Sequence, residues 1–482
     1  MVDHEREANN GVEWRVKVLQ DGSSVKLEPA ETGIIQKAWL GLAGLLLAMK
    51  MKVAGFLNKV WNIGADDPRK VIHGLKVGLA LSLVSVFYYT RPLYDGVGGT
   101  AIWAVMTVVV IFEFSVGACL CKGFNRATAT LTGGALALGF HYLAEKSGKT
   151  FEPVILSISV FLLASAATFS RFIPVIKDRF DYGITIFILT FSFVSVSGYR
   201  VENLITMAQQ RLSTIAIGVS ICFCVCIFIC PVWAGGDLHF LIVRNMEKLA
   251  CSLEGLVTEY FNDKNSSEDD KSRSKKWQEY KCILNSKGSE DSLSKLAIWE
   301  PAHGNFGFKH PWKQYLKIGA AIRRCAYCVE ALNGCINSDV QAPEYIKTHL
   351  NEVCIRLSSE ASKVLKEAAS SMKTTMKSPY IDSFVGEMNI AVEELHTALR
   401  TLPNKKLITP SQGTETMSLI EALPMIPVSS LLIEISARIE GVVDAVEELA
   451  ELAGFKPADD DEKNEESIEA QGKVVTVEIQ QV

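Results

Sequence analysis

Six ionisable side chains, Lys76, Glu113, Lys122, Arg126, Arg171 and Arg211, stand inside or at the ends of long apolar segments. An unpaired charge at the centre of a bilayer costs at least about 2.5–3.5 kcal/mol on insertion scales. Each of these groups must therefore face a partner, water or the headgroups. Arginine keeps its proton and presents a planar fork of donors that matches a carboxylate. Arg126, in the string KGFNRA, and Arg211, in AQQRLS, sit at the mouths of apolar segments, where gathered guanidinium groups would attract anions and repel cations. Snorkelling to lipid headgroups is the competing reading of the same two residues. Lys76 and Glu113 fall near the middle of two adjacent apolar segments and are spaced to form an interior ion pair. Nothing in the chain resembles an enzyme's apparatus: no GxSxG, no phosphate-binding Walker loop and no HExxH occurs, and the eight histidines are scattered. Twelve cysteines include an apolar group (Cys222, Cys224, Cys226, Cys230) and one CxxC (Cys325, Cys328). Neither has a histidine or a second CxxC at ligand spacing, so they read as small apolar fillers in a reducing compartment rather than a metal site.

The elements that would position these residues are membrane spans. A hydrocarbon core about 30 Å thick calls for roughly 20 apolar residues in helix, and backbone groups in lipid must bond within their own segment. Six stretches qualify: 71–90, 100–120, 126–144, 152–170, 182–198 and 211–234. They explain a mean hydropathy of +0.19 in a chain with 48% hydrophobic residues. Glycines punctuate the spans (Gly74, Gly78, Gly117, Gly133, Gly134, Gly139, Gly218), as close helix contacts require. An even number of spans puts both termini on one side. Lys50, Lys52, Lys59, Arg69 and Lys70 before the first span, with Arg244 and Lys248 after the last, place that side in the cytosol. The first 30 residues carry charges and no apolar core, so no secretory signal is visible. Residues 34–49 are apolar but short and run into Lys50 and Lys52. They read as an interfacial amphipathic helix, with a seventh span as the alternative.

After Gly236 the character changes. Leu238, Leu241, Ile242, Met246, Leu249, Leu253 and Leu256 recur at helical spacing, and further helical patterns cover 312–336, 342–373, 380–400 and 426–453. The net charge of -5 is unevenly divided, roughly +5 over residues 1–235 and roughly -10 beyond, which argues against nucleic acid as a partner of the acidic half. The organisation expected is a cytosolic N-terminal segment (1–65), a six-helix transmembrane domain (66–235), a cytosolic helical bundle (236–456) and a disordered acidic tail (457–482). The fold class is thus an all-α membrane protein followed by a soluble helical domain.

The chain resembles the plant aluminium-activated malate transporter family. The resemblance is carried by DDPRKVIHGLKVGLAL (66–81), TAIWAVMTVVVIFEFSVGACLCKGFNRA (100–127), FSRFIPVIKDRFDYG (169–183), FILTFSFVSVSGYR (187–200) and CPVWAGGDLH (230–239). In the soluble half it rests on Trp299, Glu300 and Pro301, matching the family's WEP motif, followed by HGNFGFKHPWKQY (303–315). It implies a homodimeric channel, permeable to malate and other anions, with six membrane helices per subunit and a pore lined by basic residues. Arg126 and Arg211 match two such positions, and Lys122 and Lys76 are further candidates. Some members are gated by aluminium through acidic residues on the outer side, for which Asp95 and Glu202 are the candidates here. Thr206 stands where a third carboxylate would complete a hard-cation site. The WEP residues are expected to terminate and dock a cytosolic helix. Ser and Thr in the linker and tail are candidate kinase targets that would alter docking of the acidic domain. No cofactor is implied. The plasma membrane is the expected location. An alternating-access exporter of organic or aromatic acids and a non-transporting membrane scaffold are the rival readings.

Overall fold

The computed structural model describes residues 14–17, 26–29, 34–90, 102–148, 150–198, 204–261, 278–307, 309–338, 340–402 and 423–457. The chain divides into two compact units, Met1–Gly74 and Leu75–Val482.

In the first unit, β1 (Trp14–Lys17) and β2 (Lys26–Pro29) pair antiparallel, with Trp14 opposite Pro29. Helix α1 (Ile34–Asp66) continues well beyond the apolar stretch 34–49 expected from sequence. The residues after Lys50 hold few helix breakers, so the helix propagates until Pro68, whose ring starts α2 (Pro68–Tyr89). The Asp67 carboxylate caps that start, accepting from the Arg69 amide at 3.2 Å. Leu45, Leu46, Phe56 and Trp61 are all exposed along α1.

The second unit begins within α2 and continues through α3 (Ile102–Ile111), α4 (Val116–Lys146), α5 (Glu152–Ser170), α6 (Pro174–Gly198) and α7 (Leu204–Phe228). Among the described residues, four helices are long and apolar enough to cross a membrane: α2, α5, α6 and the Ala208–Phe228 part of α7. The expected span over 100–120 is not one helix. It breaks at residues 112–115, and its last five residues open the 31-residue α4. Ser115 ends the run by taking an extended backbone and accepting from the Ala118 amide at 3.3 Å, while the Val116 amide turns to the Val232 carbonyl at 2.9 Å. Glu113 therefore lies in the break and not in mid-helix. Close packing of α3 on α7 depends on Gly218, where a Cβ would stand 2.9 Å from Thr107 and 3.0 Å from the Ala104 carbonyl oxygen.

The remaining elements form a helical bundle: α8 (Ala234–Phe261), the short α9 (Lys281–Leu284), α10 (Lys287–Ala297), α11 (Trp312–Ile336), α12 (Glu344–Thr374), α13 (Ile381–Thr401) and α14 (Met425–Ala453). Their apolar stripes close on one core that includes Ile242, Met246 and Leu249 of α8, Ile318 and Ile322 of α11, Leu365 of α12, and Ile439 and Val442 of α14. Within it the buried Glu290 carboxylate pairs with Arg323. A short parallel pairing of β3 (Met376–Lys377) with β4 (Lys456–Pro457) joins the ends of α12 and α14.

Candidate functional site

The two arginines singled out by the sequence are both interior. Arg126 on α4 is 4% exposed and Arg211 on α7 is 7% exposed, so both pack against neighbouring helices. Arg126 Nη1 donates to the Tyr182 hydroxyl of α6 at 3.2 Å, and its Nε–H has no acceptor. Next to it, the Asn125 amide donates to the Arg179 carbonyl at 3.1 Å and pins α4 to the first turns of α6. Arg211 lies between two rings: its guanidinium carbon is 4.0 Å from the Trp103 centroid and 3.3 Å from that of Phe193. The rings meet edge to face at 5.7 Å, and Arg211 Nη2 has no acceptor. Among the described residues neither arginine meets a carboxylate.

Lys122, Lys76 and Arg171 each have a local partner. Lys122 pairs with Glu113 across the α3–α4 break and lies 5.8 Å from the centroid of the Tyr182 ring. This corrects the expected pairing of Glu113 with Lys76. Lys76, 3% exposed, instead donates to the Cys230 carbonyl at 2.8 Å, just beyond the end of α7. A lysine there satisfies a free carbonyl and complements the negative end of the helix dipole. Arg171 and Asp181 form a two-pronged pair at 2.7 and 3.1 Å. Asp95 and Glu202, the expected outer acidic residues, lie outside the described residues. Thr206 is exposed in the first turns of α7.

The WEP residues dock the bundle on α4. Glu300 follows α10, and its side chain is 1% exposed. One oxygen accepts from the Ala234 amide at 2.6 Å and the Gly117 amide at 3.2 Å; the other accepts from the Gly235 amide at 3.0 Å. One carboxylate thus caps α4 and α8 at the positive ends of their dipoles. Burial pushes the Glu300 carboxyl above its ordinary value, against the pull of these three amides and of His303. A side chain at Gly117 would strike the Leu296 carbonyl oxygen at 2.3 Å, so glycine permits the approach of α10. Trp299 stacks on Phe124 of α4 at 6.1 Å, and Pro301 presents its carbonyl to His303 Nδ1 at 2.8 Å. A second tie runs from Lys295 of α10 to Asp178 of α6.

Sequence reasoning named the arginines but not Tyr182, Trp103 or Phe193. An aromatic residue in an apolar segment carries no sign of what it touches, and Trp103 and Arg211 are brought together only by the packing of α3 on α7. Among the described residues no group of three or more His, Cys, Asp or Glu able to hold an ion occurs.

Apolar helices of spanning length, two interior arginines without carboxylate partners and a capped helical bundle define a multi-pass membrane protein built to handle anions. Comparison with known proteins narrows the class. The profile described as "Aluminium activated malate transporter" matches residues 61–416. Aluminum-activated malate transporter 10 of Arabidopsis thaliana is 52% identical, over 92% of this chain and 95% of its own length. Aluminum-activated malate transporter 2 of the same plant is 46% identical over 84% and 79%, and aluminum-activated malate transporter 1 of Triticum aestivum is 44% identical over 89% and 92%. The chain belongs to the aluminium-activated malate transporter family.

Proposed function

We propose that the protein is a malate-permeable anion channel that passes organic, and also inorganic, anions through a path bordered by Arg126 and Arg211. One observation carries the proposal. Both guanidinium groups are buried, both retain unpartnered N–H donors, and both are held by a phenol or aromatic rings instead of a carboxylate. A buried charge left without a counter-ion is costly, and a mobile carboxylate offsets that cost while it passes. Neutral holders leave the positive potential available to the ion. A carboxylate partner, such as Glu113 beside Lys122, cancels it.

In this reading α2 through α7 make the membrane domain, two subunits associate about the pore, both termini and the helical bundle face the cytosol, and the channel sits in the plasma membrane. Lys122 and Lys76 are further basic residues beside the path, each held by a local partner. Asp95 and Glu202 belong to the outer mouth, where a cation would act. Phosphorylation in the linker or tail would shift the bundle through added charge.

The test is electrical. Arg126→Ala and Arg211→Ala should each cut malate current strongly while surface protein is retained. Normal current from both variants would remove the assignment. Single-channel openings in a defined bilayer would separate a channel from an alternating-access carrier, whose flux is slow and saturates.

A further inference from the structure

We propose that Thr130 and Tyr182, together with Arg126, form a carboxylate-selective subsite, in which the two hydroxyl groups set the preference for an organic anion over a halide. The inference rests on the anion-channel reading and goes further by naming residues that choose the ion.

The case starts from an irregularity among threonines. In a helix, a threonine hydroxyl commonly bonds the carbonyl one turn back. Thr128 does so to Phe124 at 2.9 Å, Thr132 to Thr128 at 2.8 Å, Thr185 to Asp181 at 3.0 Å and Thr214 to Gln210 at 2.9 Å. Thr130 lies between the first two on α4 and does not. Its hydroxyl is buried without a partner, and the residue is 6% exposed. Four residues earlier, one turn along the same face, the Nε–H of Arg126 is also buried and unpartnered. A buried donor without an acceptor is expensive, about 1–3 kcal/mol for a neutral group and more for a charged one. Two such donors on adjacent turns of one helix face point to an anion that takes both.

Tyr182 supplies a third donor. Its oxygen accepts from Arg126 Nη1 at 3.2 Å, which leaves the phenolic proton free to point at a second acceptor. The level is held fixed by Asn125, whose amide bonds the Arg179 carbonyl, and by Gly183, whose missing side chain would lie 3.4 Å from the Asn125 oxygen. A carboxylate has two oxygens with about four acceptor positions and can engage the N–H and both O–H groups at once. A chloride presents one centre and gives up less hydration on entry. Loss of a hydroxyl should therefore penalise the carboxylate more.

The experiment uses the full-length protein reconstituted in liposomes or expressed in cells, with malate and chloride on opposite sides. The reversal potential gives the malate-to-chloride permeability ratio, and surface labelling checks assembly. Thr130→Val, nearly the same shape, should lower that ratio about fivefold, the loss of roughly one hydrogen bond of ordinary strength in a wet path. Thr130→Ser should restore it, and Tyr182→Phe should lower it in the same direction. A ratio unchanged in both Thr130→Val and Tyr182→Phe, with malate current still lost in Arg126→Ala, overturns the subsite and leaves the channel reading standing. Malate current retained in both Arg126→Ala and Arg211→Ala overturns both.

Discussion

The Phe193 ring lies 3.3 Å from the guanidinium carbon of Arg211, and the Trp103 ring covers it at 4.0 Å from a different helix. A cation held by ring faces in a site shielded from water gains about 2 kcal/mol or more, and the rings compete for none of its in-plane N–H donors. The guanidinium is thus oriented yet chemically free. Replacing Phe193 with Leu should keep the apolar volume and lose the ring face. Malate current should then fall nearly as far as in Arg211→Ala, whereas Phe193→Tyr and Trp103→Phe, which keep a ring face, retain most of it. Currents from Phe193→Leu equal to the parent's, at matched surface protein, would mean that the rings do not position the arginine.

Lys76 makes a contrasting case. Its ammonium is spent on the Cys230 carbonyl at 2.8 Å, where the backbone takes the left-handed conformation at φ 42°. A non-glycine residue there is strained, and the lysine holds the turn that leads from α7 to α8. Lys76→Met should therefore lower thermal stability, by about 1–2 kcal/mol for the orphaned carbonyl, while the malate-to-chloride permeability ratio stays at the parent value. A shifted ratio with unchanged melting temperature would instead put Lys76 in direct contact with the ion.

Much of this architecture was legible beforehand because it rests on local periodicity. Ile242, Met246, Leu249 and Leu253 announce α8, and the stretch 312–336 reads as the helix it forms, because a stripe every three or four residues has one simple explanation. The break at 112–115 was not legible. Phe112 and Phe114 keep the hydropathy high across it, so only the capping ability of Ser115 hints at a new helix start. That miss displaced Glu113 and with it the expected pairing to Lys76, since the turn brings Lys122 within reach of the carboxylate. Arg126 and Arg211 could be named because a charge in an apolar run is conspicuous. What holds them could not, because Tyr182 and Phe193 reach them only through packing between distant segments.

Glu300 offers a test of how the bundle is attached. Its two oxygens serve amides at the starts of α4 and α8, 2.6 to 3.2 Å away. Glu300→Gln preserves shape but exchanges one acceptor oxygen for an N–H₂ group, which faces an amide N–H with no lone pair to offer. At least one of the three amides loses its acceptor, at a cost of about 2 kcal/mol or more. The purified variant should melt several degrees below the parent, and Glu300→Ala lower still. A Glu300→Gln protein with the parent's melting temperature would indicate that the three amides find other acceptors.

Beneath the docking loop, the Tyr315 hydroxyl lies 3.0 Å from His239 Nδ1 and 3.1 Å from His310 Nε2. One hydroxyl carries one proton, so it donates to one ring and accepts from the other, an arrangement that suits two neutral imidazoles. Burial holds both rings down at about 4 from an ordinary 6.5, with the neighbouring His239 and His303 adding to the effect on His310. A ring whose folded value is depressed stabilises the fold fully above its unfolded value and loses that contribution as pH falls toward the folded one. Between about pH 6.5 and 4 the unfolded chain binds protons that the native chain refuses, at a cost on the order of 3 kcal/mol per ring if they titrate independently. The melting temperature of the purified protein should be nearly flat above pH 7 and drop steeply from pH 6.5 to pH 5. Because carboxylates contribute to any acid slope, the decisive comparison is with His310→Gln, which removes one titrating ring and should flatten the drop in that window. Identical slopes for parent and variant would show that the buried imidazoles do not govern the acid limb.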